Sequence, residues 1–179
     1  MLKSQLEIIE QAKLYLNGVS QEDYTTIISP NFISSAGSHV RHIIDHYLAL
    51  ISGLNDNVID YDKRERGSKV EFSPTLALDK LNEIADWIKS LNNTQLNTLL
   101  TLKTEVSVTS QNVQTVRTSI ARELIFAGSH AVHHYAIIAQ ISLAQTSASP
   151  QTFGLAPATA TYLRENTQLS QATNKADFQ

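Results

Sequence analysis

All six histidines of this 179-residue chain fall into two clusters, one in each half of the sequence. The members of the two clusters are His39, His42 and His46 and, later in the chain, His130, His133 and His134. Hydrophobic residues at helical spacing surround both clusters, which predicts a helix at each. Because about eighty residues separate the clusters, their imidazoles can meet only if the fold packs these helices together. Imidazole is the commonest metal ligand among side chains, so the pattern predicts a metal site between two helices.

Hydrophobic periodicity predicts four main helices, at residues 2–16, 34–54, 74–92 and 119–145. A shorter helix is predicted over 20–28, where Ser20 and Asp23 have the spacing of a capping box. Alternating residues over 98–117 predict two short strands, and the charged segment 55–73 is expected to be a long connection. The predicted fold is therefore all-α: a four-helix bundle with a long crossover between helices 2 and 3 and a small β-hairpin before the last helix. Bundles of this kind hold metal sites in their cores.

Composition excludes several classes of protein. The chain has no cysteine, so thiolate metal ligands, a catalytic cysteine and disulfides are ruled out. A net charge of −3 without long basic runs gives no reason to expect a nucleic-acid partner. No apolar run approaches the roughly 20 residues that span a bilayer, and no signal peptide is recognisable, so no membrane partner and a cytoplasmic location are expected. Residues 1–163 are expected to form one domain, followed by a disordered tail at 164–179.

The late cluster has the clearer orientation. A helix turns by about 100° per residue, so His130 and His134 lie about 40° apart and one turn apart. Ile137 and Ile141 fall on the same arc, which predicts that this pair faces the core. His133 lies at the edge of the arc. An inward i,i+4 pair can direct both rings at one metal ion, whereas the alternatives are ordinary buried or surface histidines and a haem held by two histidines.

The early cluster leaves the third ligand open. Its hydrophobic arc is bordered by His39 and His46, and His42 lies farther round the helix. Periodicity alone therefore favours His46 or His39. Other metal chemistries are excluded because no Glu stands three residues before any histidine, as a di-iron bundle requires, and no His-Glu-x-x-His motif is present.

Three motifs together resemble the DinB-like superfamily of metalloenzymes: residues 35–47, the late His-x-x-His-His, and Phe-Gly-Leu-Ala-Pro at 153–157. The resemblance covers roughly residues 1–163. It implies a homodimer of four-helix bundles that binds one divalent metal ion, zinc or nickel first and iron or manganese next. One histidine of the second main helix and the i,i+4 pair of the last would be the ligands. The positions of this sequence that match these ligands are His42, His130 and His134. The resemblance leaves His46 as the alternate ligand and Asp45 as a supporting or alternate ligand.

The superfamily contains thiol-dependent enzymes, including bacillithiol transferases, the mycothiol-dependent maleylpyruvate isomerase and a domain of ergothioneine-forming enzymes. The resemblance therefore implies a metal-dependent S-transferase or hydrolase that uses a low-molecular-weight thiol or another small-molecule substrate. It assigns no catalytic residue beyond the ligands. The alternatives are a non-enzymatic metal-binding or stress-associated helical dimer and a helical dimerisation module without metal.

Overall fold

A computed structural model describes residues 1–63 and 67–176, with side chains as far as residue 166. Its helices are α1 Leu2–Gly18, α2 Gln21–Thr25, α3 Ala36–Asp56, α4 Pro74–Ser90, α5 Asn93–Leu96, α6 Ile120–Ala144 and α7 Pro157–Ala176. Its strands are β1 Val58–Asp60, β2 Leu99–Glu105 and β3 Val113–Ser119, and a 3₁₀ turn spans Lys69–Glu71. In the described part of the chain, no helix is both long and apolar enough to cross a membrane.

Serine side chains mark where the main helices begin. Ser35, Ser73 and Ser119 each accept a hydrogen bond from the backbone N–H three residues later, at the start of α3, α4 and α6. Ser20 does the same for the short helix α2 through the N–H of Asp23. These bonds satisfy donors that the first turn of a helix leaves without intrahelical partners. The helix starts predicted from the sequence are therefore close to those observed.

Each of the helices α1, α3, α4 and α6 packs against two of the others in this set. α1 contacts α4 and α6, and α3 contacts the same two helices. Their hydrophobic stripes meet in one buried core, whose largest fully buried aliphatic side chains include Ile9, Ile43, Ile44, Leu50, Leu81, Ile84, Ile88 and Ile120. The contact between α3 and α6 positions the histidines, because these two helices carry all six of them.

The small sheet has three strands in the order β1-β2-β3. β2 and β3 form the predicted antiparallel hairpin, with Leu102 opposite Val116. The prediction of an all-α chain with a single hairpin is incomplete, because β1 pairs in parallel with β2 inside the segment expected to be a connection. Burial explains this strand: Ile59 is fully buried and packs so close to Gly53 of α3 that a Cβ there would collide with it.

The 3₁₀ turn holds the crossover against the start of α3. Arg41 Nη1 lies 2.5 Å from Glu71 Oε2, and the Ser38 hydroxyl donates to Glu71 Oε1 at 2.6 Å. The Tyr24 hydroxyl donates to the carbonyl of Val70 at 2.7 Å. Gly37 permits this approach, since a Cβ there would collide with the Glu71 carbonyl oxygen. The crossover thereby supports the helical turns that carry the early histidine cluster.

The C-terminal segment returns to the body of the protein. Phe153 is buried and stacks on Tyr15 and Tyr135, with ring centroids 5.0 and 4.8 Å away. Beyond it, α7 continues to Ala176, where the sequence predicts a disordered tail from 164, and residues 177–179 lie outside the described residues. The domain boundary at 163 stays a prediction.

Candidate metal centre

The packing of α3 on α6 brings the two histidine clusters into contact. The Nε2 atoms of His42 and His130 lie 2.9 Å apart, and those of His130 and His134 lie 3.1 Å apart. The structure thus assembles the three residues that the sequence nominates as metal ligands. That they bind a metal stays a prediction.

These distances suit a cation better than they suit hydrogen bonds. An imidazole nitrogen of a neutral histidine carries either one proton or one lone pair. His130 Nε2 can therefore form only one good N–H···N bond, although His42 and His134 both present a nitrogen to it within hydrogen-bond distance. A cation among the three would use the lone pair of each.

The spacing also fits metal coordination. Imidazole nitrogens bind zinc at about 2.0–2.1 Å, which puts two ligand atoms about 3.3–3.4 Å apart in a tetrahedral site and about 2.8–3.0 Å apart at a right angle. The observed 2.9 and 3.1 Å are within a few tenths of both values. A set of nitrogen donors accommodates zinc, nickel, copper or iron, so the spacing does not single out one metal.

His46 adds a fourth imidazole. Its Nδ1 donates to the carbonyl of His42, one turn earlier, at 2.9 Å, which leaves the lone pair of a neutral ring on Nε2. The ring centroid of His46 lies 4.3 Å from that of His130. The potential ligand atoms of His42, His46 and His130 all lie within 4.8 Å of one another. Two overlapping triads are therefore candidates: His42, His46 and His130, whose ligand atoms are all mutually close, and His42, His130 and His134, in which His130 Nε2 lies within 3.1 Å of each of the other two.

The helix-phase argument about the early cluster is only partly right. It places His42 farther from the core face than His39 and His46, and His46 is indeed the most buried of the three. His42 Nε2 nevertheless lies 2.9 Å from His130 Nε2, and the choice between His42 and His46 as the ligand from α3 stays a prediction. Both residues can contact α6 because α3 and α6 pack against each other.

The surroundings of His134 and His39 favour the uncharged form of these two rings. Burial, followed by the repulsion of His130 and other neighbouring imidazoles, lowers the pKa of His134 to about 3. Burial, followed by repulsion from His133, also lowers the pKa of His39 below its usual value. A ring that stays neutral keeps a lone pair for a metal ion. His133 itself is exposed, in agreement with its predicted place at the edge of the α6 arc.

Asp45 lies beside Arg41 on α3, and its predicted role as a supporting or alternate ligand stays a prediction. Its carboxylate lies 3.7 Å from Arg41 Nε, and only 9% of the side chain is exposed. It lines a cavity of about 580 Å³ together with Asp60 of β1 and Lys63. Contacts on the candidate ligand rings include the His42 carbonyl, which accepts from His46 Nδ1, and His39, whose Nδ1 lies 2.8 Å from His134 Nδ1.

A buried carboxylate and a tyrosine, both missed by the sequence reasoning, lie beside the histidines. Tyr61 stacks on His46 at 4.8 Å and 24°, and its hydroxyl donates to Glu123 Oε2 at 2.6 Å. Glu123 is fully buried, and its other oxygen accepts from Thr118 at 2.6 Å and Arg122 at 2.7 Å. Burial and then the bond to Glu123 raise the pKa of Tyr61 far above its usual value, so its hydroxyl remains a donor. The sequence signal was present, because Glu123 falls on the hydrophobic stripe of α6.

The outer rim of the centre is aromatic and cationic. Phe126 stacks on His130 at 5.7 Å and 17°, and the guanidinium of Arg122 lies 5.3 Å from the centroid of the Phe126 ring. Arg122 and Phe126 are both solvent-exposed and follow each other at four-residue spacing along α6 toward His130. This face therefore connects the histidine cluster with solvent.

The helical architecture with its small sheet is the fold of the DinB-like proteins, the class that the sequence motifs resemble. Among solved structures, a DinB-like protein (YjoA) from Bacillus subtilis superposes with a TM-score of 0.55 and 15% identity, covering 82% of this chain and 98% of that one. A DinB-like protein from Bacillus cereus superposes with a TM-score of 0.59 and 14% identity, covering 85% and 95%. At such low identity the likeness shows the fold alone.

Sequence comparison gives a partial match. The chain is 31% identical over 108 residues to a protein of Rhizopus delemar named FK506-binding protein 5. The match covers 60% of this chain and 28% of the fungal protein, so the chain spans less than a third of that relative. No family model matches the chain.

Proposed function

We propose that this protein is a DinB-like four-helix bundle, formed by α1, α3, α4 and α6 with a long crossover, and that it binds one divalent metal ion through His42, His130 and His134. The observation that carries the proposal is the position of His130 Nε2, which lies 2.9 Å from His42 Nε2 and 3.1 Å from His134 Nε2. Zinc or nickel is the first expectation, and iron or manganese the next, since imidazole ligands accommodate several of these metals.

The proposed activity is that of a metal-dependent enzyme of the thiol S-transferase or hydrolase type. A metal bound by three neutral histidines keeps open positions, where it can polarise a carbonyl, lower the pKa of water or bind a thiolate. The chain has no cysteine, so the thiol must come from a low-molecular-weight compound. A reducing cytoplasm would supply it. The exposed rim at Arg122 and Phe126 is where a small substrate would approach. We further propose a homodimer, following the DinB-like resemblance.

The test is elemental analysis of the untagged protein after rinsing with chelator and reconstitution with zinc or nickel. We expect about one metal per chain in the wild type and almost none in the double variant His130→Ala/His134→Ala. Single variants distinguish the two triads. If His42, His130 and His134 are the ligands, His134→Ala should lose the metal and His46→Ala should retain it. The opposite pattern would assign the third ligand to His46, and a metal-free wild type would refute the proposal.

The fourth imidazole supports a second candidate, a non-enzymatic metal-binding protein. If His46 and His134 both join His42 and His130, the metal has four protein ligands and is closed, as in structural sites. Cobalt substitution separates the candidates. An open site should give a new sulfur-to-cobalt absorption band when a small thiol is added, whereas a closed site should leave the spectrum unchanged.

A further inference from the structure

His39 is the one histidine of the early cluster that belongs to neither triad, yet it is not isolated. Its Nδ1 lies 2.8 Å from Nδ1 of His134, and its Nε2 lies 2.9 Å from the hydroxyl oxygen of Ser34. His39 is on the first turns of α3, and Ser34 immediately precedes the residue that caps that helix. A chain of three side chains thus runs from the α6 histidine pair to the loop before α3.

The proton positions along this chain are linked. A neutral imidazole has one N–H and one lone pair, on different nitrogens. If His134 uses Nε2 for a metal, its proton must be on Nδ1, which then donates to Nδ1 of His39. His39 must in turn carry its own proton on Nε2 and donate to Ser34. Every contact is then a proper hydrogen bond.

The opposite arrangement is incompatible with metal binding. If Nδ1 of His39 donated to Nδ1 of His134, the proton of His134 would lie on Nε2, directed at His130 3.1 Å away. Nε2 would then have no lone pair for the metal. The orientation of the His39 donor and acceptor therefore decides whether His134 is a competent ligand.

We infer that His39 is a positioning residue for the metal centre: its Nδ1 accepts the Nδ1–H of His134 and keeps the lone pair of His134 on the nitrogen that faces His130. The inference rests on the proposed metal function and on His134 as third ligand. Metal-bound histidines commonly pass their other N–H to a carboxylate or carbonyl. An uncharged imidazole in that place orients the ring without adding negative charge beside the metal.

The test compares two replacements of His39 in the full-length protein. His39→Asn keeps an acceptor, Oδ1, close to the position of Nδ1, whereas His39→Leu removes the acceptor at similar size. Loss of a residue that supports a ligand typically weakens metal affinity about 10–100-fold. By competition against a chromogenic chelator for zinc, we expect His39→Leu to show a loss in this range and His39→Asn to remain within a few-fold of the wild type.

A second readout does not depend on metal. Nitrogen-15 spectra of the metal-free protein should show His134 protonated on Nδ1 in the wild type and in His39→Asn, and a mixed tautomer in His39→Leu. His133→Leu is the matched control, because His133 is exposed and adjacent to His134 in sequence, and it should change neither readout. Thermal unfolding of the metal-free variants identifies any general loss of stability.

The outcomes are distinct. Equal loss of affinity in His39→Asn and His39→Leu, or no loss in either, would overturn the role of His39 while leaving the metal function intact. A wild-type protein without zinc affinity would overturn the proposed function, and the inference with it. Unchanged affinity in His134→Ala would remove the assumed ligand and so refute the inference, while leaving the triad with His46 in place.

Discussion

Replacing Tyr61 with phenylalanine tests whether the protein can be destabilised next to the candidate metal centre without a change in metal binding. The hydroxyl group of Tyr61 donates to the fully buried Glu123 at 2.6 Å, while its ring stacks on His46 at 4.8 Å. Tyr61→Phe removes the hydrogen bond and keeps the ring. We therefore expect a protein that unfolds more easily but binds the same amount of metal.

The expected loss of stability in Tyr61→Phe follows from the charge of the Glu123 carboxylate, which accepts the hydrogen bond. Hydrogen bonds to charged groups contribute about 1.5–3 kcal/mol, and a buried group that loses its partner bears the full desolvation cost. In proteins of 150–250 residues, each kcal/mol shifts the melting temperature by about 2–4 °C. Tyr61→Phe should therefore lower the Tm of the metal-free protein by about 3–12 °C, measured by calorimetry.

Tyr47→Phe is the control for losing a buried tyrosine hydroxyl. Tyr47 is also buried, but its hydroxyl donates to the neutral amide of Gln5 at 3.4 Å, a longer bond to an uncharged acceptor. We expect a smaller decrease in Tm, since neutral hydrogen bonds contribute about 0.5–1.5 kcal/mol. If Tyr61→Phe proves no more destabilising than Tyr47→Phe, or if it lowers metal content, the reasoning about Glu123 is refuted.

Three further predictions concern the metal, the core and the hairpin. Because a ligand at 100 times its Kd stabilises the folded state by about 2.7 kcal/mol, chelator should lower the Tm by about 5–11 °C. That difference should vanish in His130→Ala; a difference that persists would place the metal elsewhere. Ile84→Ala, in the fully buried core, should lower the free energy of unfolding in urea by about 2–5 kcal/mol, whereas Ile27→Ala at a site 53% exposed should change it little; equal effects would contradict the packing. Backbone N–H groups of the hairpin, first that of Ser107, bond to the Glu105 carboxylate and lower its pKa below 4.5. The hairpin should thus keep this stabilisation above pH 4.5 and lose it as pH falls through the folded pKa. Carbon-13 titration by NMR should place that pKa below 4.5, and a value at or above 4.5 would contradict the contacts.

Much of the helical framework follows from local sequence signals. Serine at each main helix start after α1 and hydrophobic residues at three- and four-residue spacing predict α1, α3, α4 and α6 to within a few residues. β1 escapes prediction because it has three residues inside a charged segment. Its existence depends on parallel pairing with β2, about forty residues later, and on the burial of Ile59. Neither leaves a periodic pattern.

The sequence indicates which histidines form the candidate centre, but it does not determine which contacts each of them makes. The clustering of histidines on two helices predicts that they meet, and the i,i+4 spacing predicts that His130 and His134 act together. Choosing among the early histidines requires knowing on which side of α3 the helix α6 lies, which is a property of tertiary packing. The contacts of His39 with His134 and of Tyr61 with Glu123 likewise join residues that are far apart in the sequence. The contact of His39 with Ser34 is local.

The four imidazoles of the candidate centre belong to two helices, α3 and α6. We therefore expect the protein to fold without the metal. In small zinc domains the ligands meet only when the metal is present, so binding energy is folding energy. Here the core beneath α3 and α6 already holds His42, His130 and His134 within 3.1 Å of their neighbours. The cost of bringing three partly buried rings together is offset by hydrophobic packing elsewhere in the same helices. The metal-free protein should therefore remain folded with its ligands arranged, and metal affinity should depend on the seam between α3 and α6 more than on any loop.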